Sequence, residues 1–345
     1  MLPNKGGISE STIIPPGTTI EYKIGDILIS NIRPYFQKIW YADRCGGCSA
    51  DVLCIRAKEN TDSKYLYYLL SQQAFFDYVM SGAKGCKMPR GDKKQIMQWP
   101  VNIPAIDVQK KVVAILSSLD NKIRLNRRIN DNLEEQAKAL FNHYFIQNTE
   151  NLGEWQDGVL TDIAQYLNGL AMQKYPAMPN EAGLPVLKIK ELGQGQCDTN
   201  SDRCSSLIKP EYIISDGTII FSWSGTLLVD IWCGGKCGLN QHLFKVSSAK
   251  YPQWFVFYWT KHHLNKFIRI AKDKAVTMGH IKRCDLEISK VKIPSKQALV
   301  NLDKLFSPIF NRMVTCRIEN RKLSSLRDTL LPKLMSGEIS VEEVS

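Results

Sequence analysis

The sequence predicts a mixed α/β (α+β) protein of two domains related by an internal repeat, each followed by one long helix. Three observations predict it. The two halves align at an offset of about 190 residues, which is too long for a solenoid period and implies a duplicated domain. An Ile-Pro pair in each half, Ile103-Pro104 and Ile293-Pro294, opens a helical run of about 40 residues, well beyond ordinary helix length. Both runs carry apolar residues at steps of three and four, the period of one helix face.

The repeat is read position by position. Gly25-Asp-Ile-Leu-Ile-Ser30 resembles Asp216-Gly-Thr-Ile-Ile-Phe-Ser222. At one constant offset Met88 then falls on Met278, Ile96 on Leu286, Val101 on Val291, Asn130 on Asn320, Leu133 on Leu323 and Leu140 on Leu330. Within the first half, Gly25-Asp26 marks a turn, Ile27–Ser30 and Asp51–Arg56 read as strands, and Ser63–Val79 reads as a single helix capped by Asp62 or Ser63. The second half repeats the order, with strands at Thr218–Trp223 and His242–Val246 and an aromatic-rich helix at Gln253–Ala271.

The first long helix, Ala105–Ile146, presents Val112, Ile115, Leu119, Ile123, Asn126, Asn130, Leu133, Ala137, Leu140 and Tyr144 as one seam. In the second, Ser295–Met335, the stripe is Leu302, Phe306, Ile309, Met313, Cys316, Asn320, Leu323, Leu326, Leu330 and Leu334. Each stripe could lie on its own domain, but the helices are long enough to outrun one, and pairing them with each other buries both. Asparagines at matched seam positions, Asn130 and Asn320, favour one register at a cost in stability. The expected pairing residues are Leu119, Asn130, Leu133 and Leu140 in one helix, and Asn320, Leu323 and Leu330 in the other. Pro308 lacks an N–H and is expected to kink the second helix near its start.

Composition bounds the function classes. Of the 345 residues, 44% are hydrophobic and 23% charged, as in folded soluble proteins. No apolar run reaches the roughly 20 residues that span a bilayer, and the opening Met1-Leu-Pro-Asn-Lys5 has no signal-peptide core, so a cytoplasmic protein is expected. A net charge of +11 suggests a polyanionic partner. The ten cysteines are scattered, as free thiols would be in a reducing compartment. Cys45-Gly-Gly-Cys48 and Cys233-Gly-Gly-Lys-Cys237 could be halves of a thiolate zinc site, but they lie far apart and lack finger-spaced histidines. Small residues in strand turns are the preferred reading, and no metal is expected.

Two longer strings resemble a known family. Ile103-Pro-Ala-Ile-Asp-Val-Gln109 followed by Ile115–Phe145 is similar to the central conserved region of type I restriction-modification specificity subunits, and Leu326-Arg-Asp-Thr-Leu-Leu-Pro-Lys-Leu-Met-Ser-Gly-Glu-Ile339 is similar to their distal one. The resemblance covers nearly the whole chain. It implies two target recognition domains separated by two long antiparallel coiled-coil helices, each domain reading half of a split site in double-stranded DNA. The helices would span the unread spacer and dock methyltransferase subunits, two of them, with restriction subunits joining through the complex. On that plan residues 1–104 are the first recognition domain, 105–150 the central helix, 151–294 the second recognition domain and 295–345 the distal helix and tail. One departure stands out. Residues 151–191 have no counterpart in the first half, since Met1 aligns near Leu192, so the first domain is expected to lack an opening stretch and to expose strands such as Ile27–Ile29. Base discrimination is then expected mainly from the second domain.

Charge fits this division. Segments 105–146 and 295–345 each carry a net +2, which leaves +7 on the two domains. Candidate DNA-contacting residues are Arg33, Arg44, Lys84, Lys87 and Arg90 in the first, and Lys188, Lys190, Ser222, Ser224, Gln241, Lys272, Lys274, Thr277, His280 and Lys282 in the second. Basic groups among them would hold phosphates. Arg33, Arg90, Ser222, Ser224, Gln241, Thr277 and His280 are candidates for base edges, each weighed against being an ordinary solvated side chain.

Catalytic motifs are missing from the string. There is no acidic-or-Asn-Pro-Pro-aromatic tetrapeptide of a methyltransferase, and Val186–Gly195 has two glycines with no following helix pattern to offer a phosphate. No phosphate-binding Gly-x4-Gly-Lys-Ser/Thr occurs, and His262-His263 sits in an aromatic helix where packing is preferred to metal binding. The chain is therefore expected to be a non-catalytic specificity subunit with no cofactor. A stand-alone DNA methyltransferase and a protein-binding adaptor are the competing readings.

Overall fold

The computed structural model describes residues 1–3, 5–9, 19–147, 155–273 and 279–341. It divides into two compact units, Met1–Lys122 with Leu323–Ser345, and Ile123–Lys322. Each long helix therefore contributes one stretch to each unit. Lys274, Thr277 and Met278 lie outside the described residues.

In the first unit, β1 (Ile20–Tyr22), β2 (Ile27–Ser30), β3 (Ile39–Tyr41), β4 (Gly46–Cys48) and β5 (Val52–Ile55) precede α1 (Ser63–Leu70), α2 (Gln73–Ser81), α3 (Lys93–Ile96) and α4 (Ile106–Phe141). The strands form a β3-β2-β5 sheet and a β1-β4 pair, all antiparallel. The second unit adds strands before repeating that order: β6 (Gln156–Val159), α5 (Leu160–Ile163), β7 (Gln165–Asn168), β8 (Leu184–Leu187), α6 (Ile189–Gln194) and β9 (Arg203–Cys204). Then come β10 (Ile213–Ile214), β11 (Thr218–Ser222), β12 (Leu228–Trp232), β13 (Cys237–Leu239), β14 (Leu243–Ser247), α7 (Gln253–Asp273), α8 (Arg283–Glu287), β15 (Lys290–Ile293) and α9 (Lys296–Ser336). Its sheets run β12-β11-β14-β7, β10-β13-β8-β9 and β15-β6.

The duplication is visible in the pairing itself. β2 lies between β3 and β5 as β11 lies between β12 and β14, and β1 pairs β4 as β10 pairs β13. The turn before each central strand needs a left-handed residue, which glycine supplies without a Cβ penalty. Gly25 (φ 89°) donates its N–H to Ala42 O at 2.9 Å, and Gly217 (φ 86°) donates to Trp232 O at 2.8 Å. Strands β6, β7 and β8 fall in the stretch that has no counterpart in the first half.

The first unit's core corrects one expectation. Ile27, Leu28 and Ile29 are 0%, 3% and 2% exposed, because Phe75, Phe76 and Val79 of α2 and Ile96 of α3 cover Ile27 and Ile29. Exposure falls instead on Val101 and Ile103, whose counterparts Val291 and Ile293 are strand residues of β15 paired to β6. The single helix expected over Ser63–Val79 is also two. Ser71 Oγ donates to Tyr67 O at 2.6 Å and Gln72 is extended (ψ 149°), which ends α1 and restarts the chain as α2. The break lets α2 face the sheet while Tyr65, Tyr68 and Leu69 of α1 face the long helices.

Within the first unit the start of α4 and the end of α9 pack together, with Val112 and Leu116 against Leu331 and Leu334 under the α1 side chains. The Tyr68 hydroxyl donates to Asp120 Oδ2 at 2.7 Å, and Arg327 Nη1 donates to Asp120 Oδ1 at 2.9 Å. Gln109, fully buried, satisfies both ends of its amide: Oε1 accepts from Asp62 N (2.8 Å) and Nε2 donates to Asn60 O (3.1 Å) and Pro104 O (2.8 Å). This ties the head of α4 to the cap of α1, since Asp62 Oδ1 also accepts from Lys64 and Tyr65 N.

Within the second unit the other stretches of the two helices meet. Asn126, fully buried, donates through Nδ2 to Glu319 Oε2 (2.8 Å) and Asn320 Oδ1 (3.1 Å), so the asparagine pair is 126 with 320, in place of 130 with 320. In both units residues rising in number along α4 meet residues falling along α9, which is antiparallel packing. Phe141 and Phe145 then join Trp254, Phe255, Tyr258 and Trp259 of α7 and Leu302, Phe306 and Phe310 of α9 in one core. Trp254 stacks on Phe306 at 4.2 Å and donates its indole N–H to Asp303 Oδ1 at 2.7 Å. The β11 sheet is covered on both faces: Ile219 and Phe221 face that core, while Ile220 and Leu243 join Leu187, Leu239 and Trp232.

The buried seam differs in detail from the expected one. Leu116 is fully buried, and Leu119 is half-buried; Phe141 and Phe145 are buried, and Leu140 and Tyr144 partly so. Asn130, Leu133, Asn320, Leu323 and Leu330 are half-buried, Phe310 takes the inner place expected of Ile309, and Leu326 is 47% exposed. α9 is assigned as one unbroken helix through Pro308. Among the described residues no helix is long and apolar enough to cross a membrane.

Two outcomes follow from this packing. Leu116→Ala should cost about 2–5 kcal/mol in urea unfolding, the usual range for a cavity in a closed core, whereas Leu125→Ala at a site 50% exposed should change stability by less than about 0.5 kcal/mol. Asp26 is 1% exposed and accepts from Arg56 Nε (2.7 Å), Arg56 Nη2 (2.6 Å) and Lys23 N (2.7 Å); the Arg56 hydrogen bonds hold its carboxyl at about 2. A depressed carboxyl stabilises the fold above its unfolded value and ceases to as pH falls through the folded one. Asp26→Asn should therefore lower stability at neutral pH and flatten the acid limb between about pH 4 and pH 2, read by circular dichroism.

Candidate nucleic-acid interface

Both units build the same loop pair beyond their central strand. In the first, residues 31–33 leave β2 and pair by backbone with residues 89–91: Arg33 N donates to Pro89 O (2.8 Å) and Gly91 N to Asn31 O (3.1 Å). In the second, Gly225 N donates to Gly279 O (3.0 Å) and Ile281 N to Trp223 O (3.1 Å). The bridged residues are Ile32 with Arg90, and Ser224 with His280, at equivalent places in the repeat. A serine ends each central strand and braces the loop, Ser30 Oγ donating to Ile32 O (3.1 Å) and Ser222 Oγ to Thr226 O (2.7 Å).

The position after the bridge is left-handed in both units. Gly225 (φ 64°) adopts it freely, but Arg33 (φ 51°) holds it with a Cβ, a strain of about 1 kcal/mol or more. Lys84 and Arg90 exchange both backbone hydrogen bonds at 2.9 Å, which closes a small hairpin with the exposed Lys87 between them. Arg33, Lys84, Lys87 and Arg90 are thus brought to one loop cluster. Their counter-charges are partial and exposed: Lys84 lies 3.5 Å from Asp92, and Arg90 lies 3.3 Å from Asp51. Arg44 stands apart, between β3 and β4, where it bonds Asp43 at 3.2 Å.

In the second unit a cleft of about 630 Å³ opens beside the loop pair, with Lys188, Lys190 and Arg203 on its wall together with Asn240, Gln241 and His242. Lys188 is ion-paired with Asp202, and Lys190 lies 3.5 Å from Asp198. The floor depends on a close approach. A Cβ on Gly169 would stand 2.2 Å from Asn240 O and 2.4 Å from Leu239 O, so only glycine lets the chain leave β7 against β13. Asn168, just before it, accepts the Trp223 indole N–H on Oδ1 at 2.9 Å, while Ser224 Oγ meets His242 Nδ1 at 3.0 Å and Gln241 Nε2 meets His242 Nε2 at 3.3 Å.

The expected residues therefore separate. Ser222 is fully buried and spends its hydroxyl on the loop backbone, and Ser224 is 5% exposed and held by His242; neither faces outward. Gln241, Lys188 and Lys190 share the cleft, and His280 bridges Ser224. Lys272 is exposed at the end of α7, and Lys282 is exposed at the N-cap of α8, its N–H held by Asp285 Oδ2 at 2.8 Å. Lys274 and Thr277 are outside the described residues. Asn168, Trp223 and His242 escaped sequence reasoning; the Asn168-Gly169 pair and the polar run Asn240-Gln-His242 were the signals present.

Burial pushes His263 down to about 4, and its ring packs on Trp259 while Nε2 donates to Lys290 O at 2.8 Å. All ten cysteines are free thiols, and no group of three or more metal-binding side chains occurs among the described residues.

With this geometry in place, comparison with known proteins is direct. Residues 9–135 match the family model of the type I restriction modification DNA specificity domain. The chain is 26% identical over 310 residues to the type I restriction enzyme MjaIX specificity subunit of Methanocaldococcus jannaschii, covering 83% of this chain and 71% of that one. It is 20% identical over 418 residues to the HindI specificity subunit of Haemophilus influenzae, covering 96% and 90%. Over residues 9–135 the chain thus carries a type I restriction modification DNA specificity domain, and along most of its length it is similar to type I specificity subunits. Its fold is shared with the crystal structure of a type I restriction-modification system S subunit from M. genitalium, at a TM-score of 0.53 and 15% identity, over 92% of this chain and 84% of that one.

The β7–β13 approach beside the cleft is open to a simple test. Gly169→Ala should destabilise the second unit by about 1–3 kcal/mol, as overpacking against backbone does, and should be visible as a lowered unfolding midpoint; an unchanged midpoint would show that the β7–β13 approach can relax.

Proposed function

We propose that this chain is the sequence-reading subunit of a type I restriction-modification complex, that it reads a two-part site in double-stranded DNA, and that it performs no catalysis. The observation that carries this reading is the loop pair built twice on one backbone frame with different side chains, Ile32 and Arg90 in one unit and Ser224 and His280 in the other. A frame repeated with altered side chains suits the reading of two different half-sites. The net charge of +11, most of it away from the long helices, suits a polyanion.

Residues 1–104 and 151–294 are proposed as the two recognition domains, with 105–150 and 295–345 as the conserved helical segments. Phosphate contacts are assigned to Lys84, Lys87, Lys188, Lys190, Lys272 and Lys282, which give position and salt dependence but no sequence information, and Arg33 and Arg90 are kept as candidates for base edges. Two methyltransferase subunits would dock on the outward faces of α4 and α9, where Arg127 and Arg128 are exposed, and restriction subunits would join through them. Such a complex works in the cytoplasm, where DNA is. Charge reversal at Arg127 and Arg128 should weaken methyltransferase binding and leave DNA binding by the subunit unchanged.

The direct test is methyl transfer to DNA by the purified chain with and without a methyltransferase subunit. Activity is expected only with it, and methylation by the chain alone would overturn the assignment. Lys87→Ala and Lys272→Ala should each weaken binding to all sequences alike and reduce the slope of log K against log salt by roughly 0.9, the contribution of one released counterion. A change in preferred sequence with an unchanged slope would remove either residue from the phosphate contacts.

A further inference from the structure

We infer that base reading in the second unit rests on two preset amides, Asn168 and Gln241, oriented by Trp223 and His242; the inference builds on the DNA-reading function proposed above. The indole nitrogen of Trp223 can only donate, so the atom it meets at 2.9 Å must be the carbonyl oxygen of Asn168. That contact settles which way the exposed amide points. The Nδ2 amino group and the second lone pair of Oδ1 remain for another partner. Trp223 is itself held, stacked on Phe244 at 5.7 Å, with His242 at 5.9 Å and His280 at 6.3 Å around it.

Gln241 is set in the same way from the other side. Its Nε2 donates to His242 Nε2 at 3.3 Å, which makes that ring nitrogen the acceptor, places the ring proton on Nδ1, and directs it to Ser224 Oγ at 3.0 Å. Oε1 and the second N–H of Gln241 are then available at the mouth of the cleft. Asn168 ends β7, and Gln241 sits in the turn that leads into β14, the strand that β7 pairs with; Asn168 pairs with Phe244 in that register, and Trp223 N donates to His242 O. An amide with one donor and one acceptor side by side matches the N7 and N6 edge of adenine in the major groove, so each amide is assigned an A·T pair. Trp223 and His242 are positioning residues, since they act through the amides.

The test is selection of bound sequences from a randomised duplex library by the full chain with its methyltransferase subunit, repeated with Asn168→Ala, Trp223→Phe and Gln241→Ala. Asn168→Ala and Trp223→Phe should relax the same A·T position, and Gln241→Ala a different one. Binding to the selected site should fall by about 5- to 150-fold, the worth of one bidentate base contact. Affinity for unrelated duplex and its salt slope should not move. Trp223→Phe keeps an aromatic ring against Phe244 but loses the indole N–H together with part of the ring system, so unchanged thermal unfolding of both Trp223→Phe and the exposed-site variant Asn168→Ala controls for packing and folding. A wild-type motif retained by all three variants would overturn this inference and leave the proposed function standing. No motif from the wild-type chain would overturn both.

Discussion

Two helices of 36 and 41 residues have to bury an apolar stripe along their whole length, and the rest of the structure is arranged around that demand. Neither helix would be stable with its stripe in water, because propensity alone supplies little at any length. The chain meets the demand by closing a domain over each stretch of the pair. Tyr65, Tyr68 and Leu69 cover Val112, Leu116, Leu331 and Leu334 in one unit, and the aromatic face of α7 covers Phe141, Phe145, Phe306 and Phe310 in the other. Some polar groups caught in the seam are matched, Asn126 Nδ2 with Glu319 and Asn320, and Asp120 with Tyr68 and Arg327, while among the described residues Asn126 Oδ1 and Asn130 Oδ1 are buried without a partner. A buried polar group left without a partner costs about 1–3 kcal/mol, so the contacts that are made favour the register that makes them.

The repeat and the long helices were legible in the sequence because both are periodic signals that survive without tertiary knowledge. The seam was legible only to within a rotation. Steps of three and four mark a stripe but do not say which of two adjacent columns is innermost, and a neighbouring domain widens the buried face. Leu116 thus lies deeper than Ile115 and Leu119, and Phe141 and Phe145 deeper than Leu140 and Tyr144. The break between α1 and α2 was hidden for a related reason. Ser63–Val79 is apolar on more than one face, which a single buried helix would also be, and only the two separate cores show that it must turn.

The candidate interface was less legible than the fold. Loops rich in basic and small polar residues were visible, but their polar side chains fall into two kinds that composition cannot separate. Ser222 faces inward and holds backbone, while Gln241, a short distance along the chain, lines the cleft. Asn168 and Trp223 are 55 residues apart and meet only because β7 and β11 flank the same strand, so no local pattern announces the pair. The strained backbone of Arg33 was equally invisible, and it emerges only against Gly225 in the matching loop.

In the loop pair, main-chain hydrogen bonds make the frame, braced by the Ser30 and Ser222 hydroxyls, and the residues at the bridge differ between the units. Arg33 N to Pro89 O and Gly225 N to Gly279 O are the same bond made by unrelated residues, and Ile32 and Ser224 sit at the same bridge with nothing chemical in common. The same backbone bonds can therefore be kept while the residues at the bridge change. Under the proposed reading, such a chain could acquire a new target by changes in its loops while the scaffold that keeps it folded is spared the search.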